Sequence, residues 1–318
     1  MKRLLHWFGH LLILAVFLGA AWLLYDRLRD ITLAEVWQAL CDTPLTGIAA
    51  AVVLTVLNYV ILIGYDLLAI RWVGEPIPLR RIALASFTGY AFSYNFGATL
   101  FGTTIRYRFY SVWGVSLLKI LELLVILGLT FWFGLFALAG VVFVAEPLKV
   151  PQQFLDEYPD FPIQDTYWFG WALLATALAY VGLSAFYRGS LKLWRWTIPV
   201  PPLRLTLYQI GIASADLIVA AGVLYALLPH AEGMDYLRVL GVFMLAFTAS
   251  VLTHVPGGYG VFELIIVALL PLKEEPTVAA ILLFRLIYYW LPLAVAAVML
   301  AAHEIGLRKQ ADASPPAK

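Results

Sequence analysis

Charge is what this sequence has least of. Only 13% of its 318 residues are Asp, Glu, Lys or Arg, against about 25% in a soluble domain. So few charges cannot cover a water-facing surface, and 63% of the residues are hydrophobic. The composition excludes a soluble globular protein and predicts a chain that crosses a membrane several times. The net charge is +1, with no basic stripe or long basic tail, so no nucleic-acid partner is expected. Cysteine is nearly absent too. Cys41 stands alone, without an internal disulfide partner, and reads as a small buried or interfacial side chain. Enzyme signatures are missing: there is no Gly-rich nucleotide loop, no paired-histidine metal motif and no nucleophile elbow. Neither metal nor cofactor is expected, and no catalytic residue is assigned.

What is present is a series of apolar runs, each near the roughly 20 residues that a membrane-crossing helix needs. They cover residues 4–25, 45–70, 117–145, 167–187, 205–228 and 278–303. The first follows Met1-Lys2-Arg3 but exceeds the apolar core of a signal peptide, about 7–15 residues, so it is read as a span. Two further apolar regions, 82–110 and 236–272, are interrupted. Each is read as two half-depth helices joined by an irregular turn. A single transmembrane domain over 1–308 and a disordered tail over 309–318 are expected.

Basic residues mark the cytoplasmic side of a membrane protein. Lys2, Arg3, Arg71, Arg80, Arg81, Arg188, Lys192, Arg195, Arg204, Arg308 and Lys309 are read as cytoplasmic on that ground. Residues 146–166 carry five acidic residues and a single Lys149, and read as external. These assignments agree only if both interrupted regions return to the face they came from, 82–110 from inside and 236–272 from outside. The order span, span, dip, span then occurs twice, over about 1–145 and 167–303, the second time inverted. At this offset Phe87-Thr88 falls on Phe247-Thr248 and Gly97 on Gly257. The expected fold is all-α: a polytopic helical membrane protein of two inverted repeats, each with a re-entrant broken-helix hairpin. Paired breaks of this kind point to the binding site of a transporter.

The breaks and the buried charges supply the candidate site. Pro256, Gly257 and Gly258 interrupt the second region: proline removes a donor and glycine permits positive φ. The helix that restarts there points its N–H groups into the membrane and suits an anionic group such as a phosphate. Glu263 follows one turn later, either capping that turn or lining a path, and His254 precedes the break. Asn95 lies at the first break. Arg106 and Arg108 end the first dip, and arginine's planar fork matches phosphate oxygens; they read equally as interfacial anchors. Asp66 and Asp216 lie inside spans, where ionisable residues face the protein interior. Asn58, Tyr65 and Asp66 form a polar stripe. Arg285 and Glu122 each need a partner, and either aspartate can pair with Arg106, Arg108 or Arg285.

These residues carry a resemblance. The runs Asn58 to Asp66 (Asn-Tyr-Val-Ile-Leu-Ile-Gly-Tyr-Asp), Tyr90 to Tyr110, Ala213 to Ala221 and Thr253 to Glu263 resemble the lysylphosphatidylglycerol synthase transmembrane family, the membrane half of the bacterial multiple peptide resistance factor. The resemblance spans almost the whole chain. It implies a flippase-like role in moving a phospholipid or other lipid with an anionic headgroup between leaflets of the bacterial inner membrane, with both termini cytoplasmic. In two-part members a soluble domain performs the aminoacyl transfer. No such domain is expected after His303, so lysyltransferase activity is not implied. The implied partners are membrane lipids, anionic or aminoacylated; a homo-oligomer or a separate synthase stays open. The alternatives are a membrane subunit or enzyme of lipid modification, and a small-solute carrier.

Overall fold

The computed structural model describes residues 32–97, 101–149, 165–187, 189–193, 196–229 and 234–313, together with Gly19, Trp22 and Arg29. The expected span at 4–25 and most of the acidic segment lie outside the described residues. The helices are α1 (Leu33–Asp42), α2 (Leu45–Val73), α3 (Leu79–Phe96), α4 (Thr103–Val112), α5 (Leu117–Ala145), α6 (Tyr167–Phe186), α7 (Leu203–Leu227), α8 (Tyr236–Leu252), α9 (Val261–Leu269), α10 (Glu274–Phe284) and α11 (Leu291–Ala313). A π-helical segment, Arg285–Trp290, joins α10 to α11.

Among the described residues, five helices are long and apolar enough to cross a membrane: Leu45–Val73, Leu117–Ala145, Tyr167–Phe186, Leu203–Leu227 and Glu274–Gly306. They match the five described spans expected from the sequence. The protein is a polytopic helical membrane protein. Its outer face confirms the solvent it needs: Val53, Val56 and Val60 on α2, Leu118 on α5 and Val298 on α11 are all exposed, an apolar surface too continuous for water. Pro44, Pro78 and Pro202 precede α2, α3 and α7, where the missing N–H costs nothing. Gly74, left-handed at φ 70°, closes α2.

α2 and α7 pack antiparallel at the centre. A Cβ on Gly47 would meet the Ala226 carbonyl oxygen at 2.5 Å, and one on Gly64 would meet Ile212 at 3.1 Å. Small residues set the other close contacts, as expected where lipid removes the hydrophobic drive between helices. Gly134 of α5 faces Ala213 of α7, and Gly140 of α5 faces Leu174 of α6.

α3–α4 and α8–α9 are both helical hairpins. Gly102 lies against Ser93 and Gly89 against Arg106, so α4 runs back along α3. Gly258 lies against Ser250 and the Phe243 and Phe262 rings meet at 5.7 Å, so α9 runs back along α8. The first hairpin starts where α2 ends and the second where α7 ends. Because α2 and α7 are antiparallel, the hairpins come in from opposite ends of the molecule. One end gathers Arg71, Arg80, Arg81, Arg108, Lys119 and Arg204, with Glu75 and Glu304 paired to two of them; the other gathers Glu35, Asp42, Asp235, Glu274 and Glu275, with Arg238 and Lys273.

Three details differ from the sequence expectation. The basic segment before α7 contains a two-stranded antiparallel hairpin, β1 (Ser190–Leu193) and β2 (Trp196–Pro199). The last helix continues to Ala313, into the segment 309–318 expected as a disordered tail; residues 314–318 lie outside the described residues. α1 is an added helix at the acidic end, with Leu33 and Trp37 exposed. Thr32 starts it: Glu35 N–H donates to Thr32 Oγ1 at 3.3 Å and Thr32 N–H to Glu35 Oε2 at 2.7 Å. That backbone bond, then the Thr32 hydroxyl, hold the Glu35 carboxyl below the usual carboxylate range.

Candidate functional site

The two hairpin tips meet inside the molecule. α3 ends at Phe96, and Gly97 follows at φ 98°. The second break spans His254 to Gly260, with positive φ at His254 (55°), Gly257 (64°), Gly258 (64°) and Gly260 (83°). A Cβ on Gly257 would lie 3.0 Å from the Asn95 carbonyl oxygen, so glycine is what lets the tips approach. Asn95 Nδ2 donates to the Tyr289 carbonyl at 3.1 Å. That carbonyl lies in the π-helical segment, whose wide turn frees backbone acceptors and is frequent at functional sites. The second tip is not sealed: His254, Pro256 and Tyr259 are exposed.

A buried ion pair braces each hairpin. In the first, Arg106 of α4 clamps Asp66 of α2. Arg106 Nε reaches Asp66 Oδ1 at 3.0 Å and Nη2 reaches Oδ2 at 3.0 Å. The Tyr110 hydroxyl adds a third bond to Oδ1 at 3.0 Å. Asp66 is fully buried and Arg106 nearly so. Gly89 makes the room, since a Cβ there would sit 3.0 Å from the guanidinium carbon. The Tyr90 ring covers the guanidinium at 4.3 Å.

In the second, Arg285 opens the π-helical segment and pairs with Glu263 of α9. Its Nε donates to Glu263 Oε1 at 2.8 Å and its Nη1 to the Gly257 carbonyl at 2.6 Å. Nη2 lies 2.6 Å from Glu263 Oε1. The Tyr259 and Tyr289 rings sandwich the guanidinium, each at 4.5 Å. The restarted helix therefore does not present an empty amino end to an anion. Gly260 N–H donates to Glu263 Oε2 at 2.7 Å, so the chain's own carboxylate already occupies that end.

A further buried carboxylate, Asp216 of α7, has no arginine partner among the described residues. It accepts from Asn58 Nδ2 at 2.9 Å and from the Tyr65 hydroxyl at 2.8 Å. Tyr288 OH holds Asn58 Oδ1 at 2.7 Å. Between these groups runs a ladder of rings. Tyr65 and Tyr90 lie 5.8 Å apart, Tyr90 and Tyr94 6.0 Å, Tyr94 and Tyr288 5.6 Å, and Tyr94 and Tyr289 5.9 Å. The ladder joins Arg106 to Arg285 through the meeting point of the tips.

The site thus gathers Asn58, Tyr65, Asp66, Asn95, Arg106, Asp216, Gly257, Gly258, Glu263 and Arg285. Pro256 lies in the second break and is exposed, and two further expected members stand apart. Arg108 does not share a phosphate site with Arg106: two residues apart on a helix, they face different sides. Arg108 pairs instead with Glu304 at 2.8 Å, exposed. His254 is exposed and contacts the Leu252 carbonyl at 2.9 Å, away from the ion pairs. Glu122 finds a neutral partner, Trp72 Nε1, at 2.7 Å. Sequence reasoning missed Gly89, Tyr90, Tyr94, Tyr110, Tyr288 and Tyr289. The available signal was tyrosine at four-residue spacing, Tyr90 and Tyr94, on a helix that ends in a break.

Long apolar spans, two broken-helix hairpins and charged residues buried where their tips meet define an integral membrane protein with an internal polar site. The chain matches the model of the lysylphosphatidylglycerol synthase TM region over residues 10–296, and it belongs to that family. Among curated relatives, it is 36% identical over 263 residues to the uncharacterized protein slr0712 of Synechocystis sp., covering 82% of this chain and 80% of that one. It is 29% identical over 301 residues to the inner membrane protein YbhN of Escherichia coli, covering 93% of this chain and 90% of that one. A phosphatidylglycerol lysyltransferase of Staphylococcus haemolyticus is 32% identical over 108 residues, which is 32% of this chain and 12% of the enzyme.

Proposed function

We propose that this protein moves phospholipid between the leaflets of a bacterial inner membrane. The observation that carries the reading is the pair of buried arginines, each matched by a carboxylate beside hairpin tips that touch. Such an arrangement is neutral when empty, and a lipid phosphate can take the place of a carboxylate at either guanidinium fork. The two hairpins are the moving parts of inverted repeats over about 1–145 and 167–303. Opening one at a time exposes the tip region to one leaflet and then the other. The basic end faces the cytoplasm, where both termini lie, because basic residues are retained inside. Anionic phospholipid is the favoured cargo. The test is reconstitution into vesicles with fluorescent phosphatidylglycerol, phosphatidylethanolamine and phosphatidylcholine, measuring how much label becomes protected from a membrane-impermeant quencher. Phosphatidylglycerol movement well above that in protein-free vesicles is expected; rates equal to protein-free vesicles for every headgroup would overturn the reading.

A second reading has its own support, the likeness to a phosphatidylglycerol lysyltransferase over 108 residues. On that reading the chain is the membrane partner of a lipid-modifying enzyme. Co-purification of a soluble transferase with this protein, without lipid movement, would favour it.

A further inference from the structure

Two carboxylates are buried, Asp66 and Asp216, and Glu263 and Glu122 are partly buried; Glu122 takes the Trp72 N–H. Asp66 and Glu263 each face an arginine. Asp216 is buried like Asp66, yet forms no ion pair among the described residues, and both its oxygens face neutral donors. The groups facing it from the packed elements are Asn58, Tyr59 and Tyr65 on α2, Tyr90 and Tyr94 on α3, and Tyr288 on the π-helical segment. From α8, Tyr236 binds the Ile218 carbonyl two residues further along α7; α6 contributes Tyr180 and α5 Thr130, both held by Gln209; the charged residues of α10, Glu274 and Glu275, lie in its first turn. None carries a positive charge. A lone carboxylate at membrane depth is too costly to keep charged throughout a working cycle.

We propose that Asp216 is a proton-binding site that couples a transmembrane pH difference to movement of the first hairpin, a step that rests on the lipid-moving reading above. The reaction is the addition of one proton from water to the carboxylate, giving the neutral acid, and its release on the other side. The surrounding bonds fix where the proton goes. Tyr288 OH holds Asn58 Oδ1, so Asn58 must turn its Nδ2 to Asp216 Oδ1. That leaves Oδ2, which faces Tyr65 OH at 2.8 Å. A proton on Oδ2 puts two hydrogens between these oxygens, and Tyr65 must reverse its bond or let go. Tyr65 is bonded in the chain to Asp66, the carboxylate that clamps Arg106 of the first hairpin. Protonation at α7 thus reaches the brace of α4 through one side chain. The two side-chain donors that reach the Asp216 carboxylate are an amide N–H and a phenol O–H.

The test is infrared difference spectroscopy of the purified protein across pH, with lipid movement measured under imposed pH gradients. The wild type is expected to show a carboxyl band, absent from Asp216→Asn, that grows on acidification. Tyr65→Phe, which keeps the carboxyl group, is expected to move that band to higher frequency. Lipid movement in the wild type is expected to respond to the gradient, and in Asp216→Asn to lose that response. Identical spectra for wild type and both variants would overturn the proposal, as would a band that responds to sodium and not to pH. If the Asp216 band titrates but no lipid moves, the proton site stands and the transport reading fails. If lipid moves with no such band, the transport reading stands and the proton site fails.

Discussion

The brace on the first hairpin admits a quantitative test. Asp66→Asn leaves the Arg106 guanidinium buried without its carboxylate, and Arg106→Met leaves Asp66 buried with only the Tyr110 hydroxyl. Breaking one side of a buried pair costs about 3–5 kcal/mol, because the surviving charge is uncompensated. In the double variant no charge remains, and the amide that replaces the Asp66 carboxylate still accepts from Tyr110. The loss is then that of an incompletely bonded amide, about 1–3 kcal/mol. The cycle should therefore show a coupling energy of at least about 3 kcal/mol, since each single change does damage that the other repairs. The assay is unfolding of the purified protein in detergent, following tryptophan fluorescence. The double variant should be far more stable than the sum of the single losses allows and nevertheless move no lipid, because the guanidinium fork is gone. Additive losses would refute the claim that Asp66 and Arg106 act as a closed pair.

Three further outcomes follow from the same geometry. Arg285→Lys should destabilise by about 2–4 kcal/mol despite keeping the charge, because one ammonium cannot serve Glu263 and the Gly257 carbonyl while stacking between two rings; thermal melting checks it, and an unchanged melting temperature counts against the fork. Arg108→Ala should cost about 0–1 kcal/mol, because its pair with Glu304 is exposed; a loss as large as that of Arg106→Met would show that the two arginines do act together. Gly134→Leu should destabilise by about 1–3 kcal/mol or more, because a side chain there collides with Ala213 across the α5–α7 contact; wild-type stability would contradict that packing.

The spans and the breaks were legible for related reasons. A helix such as Leu117–Ala145 satisfies its own backbone, so apolar length alone marks it in a membrane chain. The second break was legible because Pro256, Gly257, Gly258 and Gly260 each resist helix for a stated reason. Pairing was less legible. Asp66 and Arg106 are 40 residues apart, and the sequence allowed Asp66 three arginine partners. It grouped Arg106 with Arg108 by proximity, although successive side chains on α4 diverge and only one points to Asp66. The anionic group at the α9 start is Glu263 itself, a local hydrogen bond that competes with any ligand there. The ladder from Tyr90 to Tyr289 went unread because its members come from separate helices that adjoin only once the hairpins are folded. The strands at 190–199 were hidden in a segment interpreted through its charge.

Lipid passage by these hairpins requires that they open toward opposite faces of the membrane. The direct measurement is labelling by a membrane-impermeant thiol reagent in a Cys41→Ser background, which removes the exposed native thiol. One cysteine replaces Arg80, at the start of the first hairpin, and in a second variant one replaces Lys273, between the second hairpin and α10; both positions are exposed. The account predicts that Lys273→Cys labels in intact cells and Arg80→Cys only after permeabilisation. Labelling of both positions from the same side would contradict it.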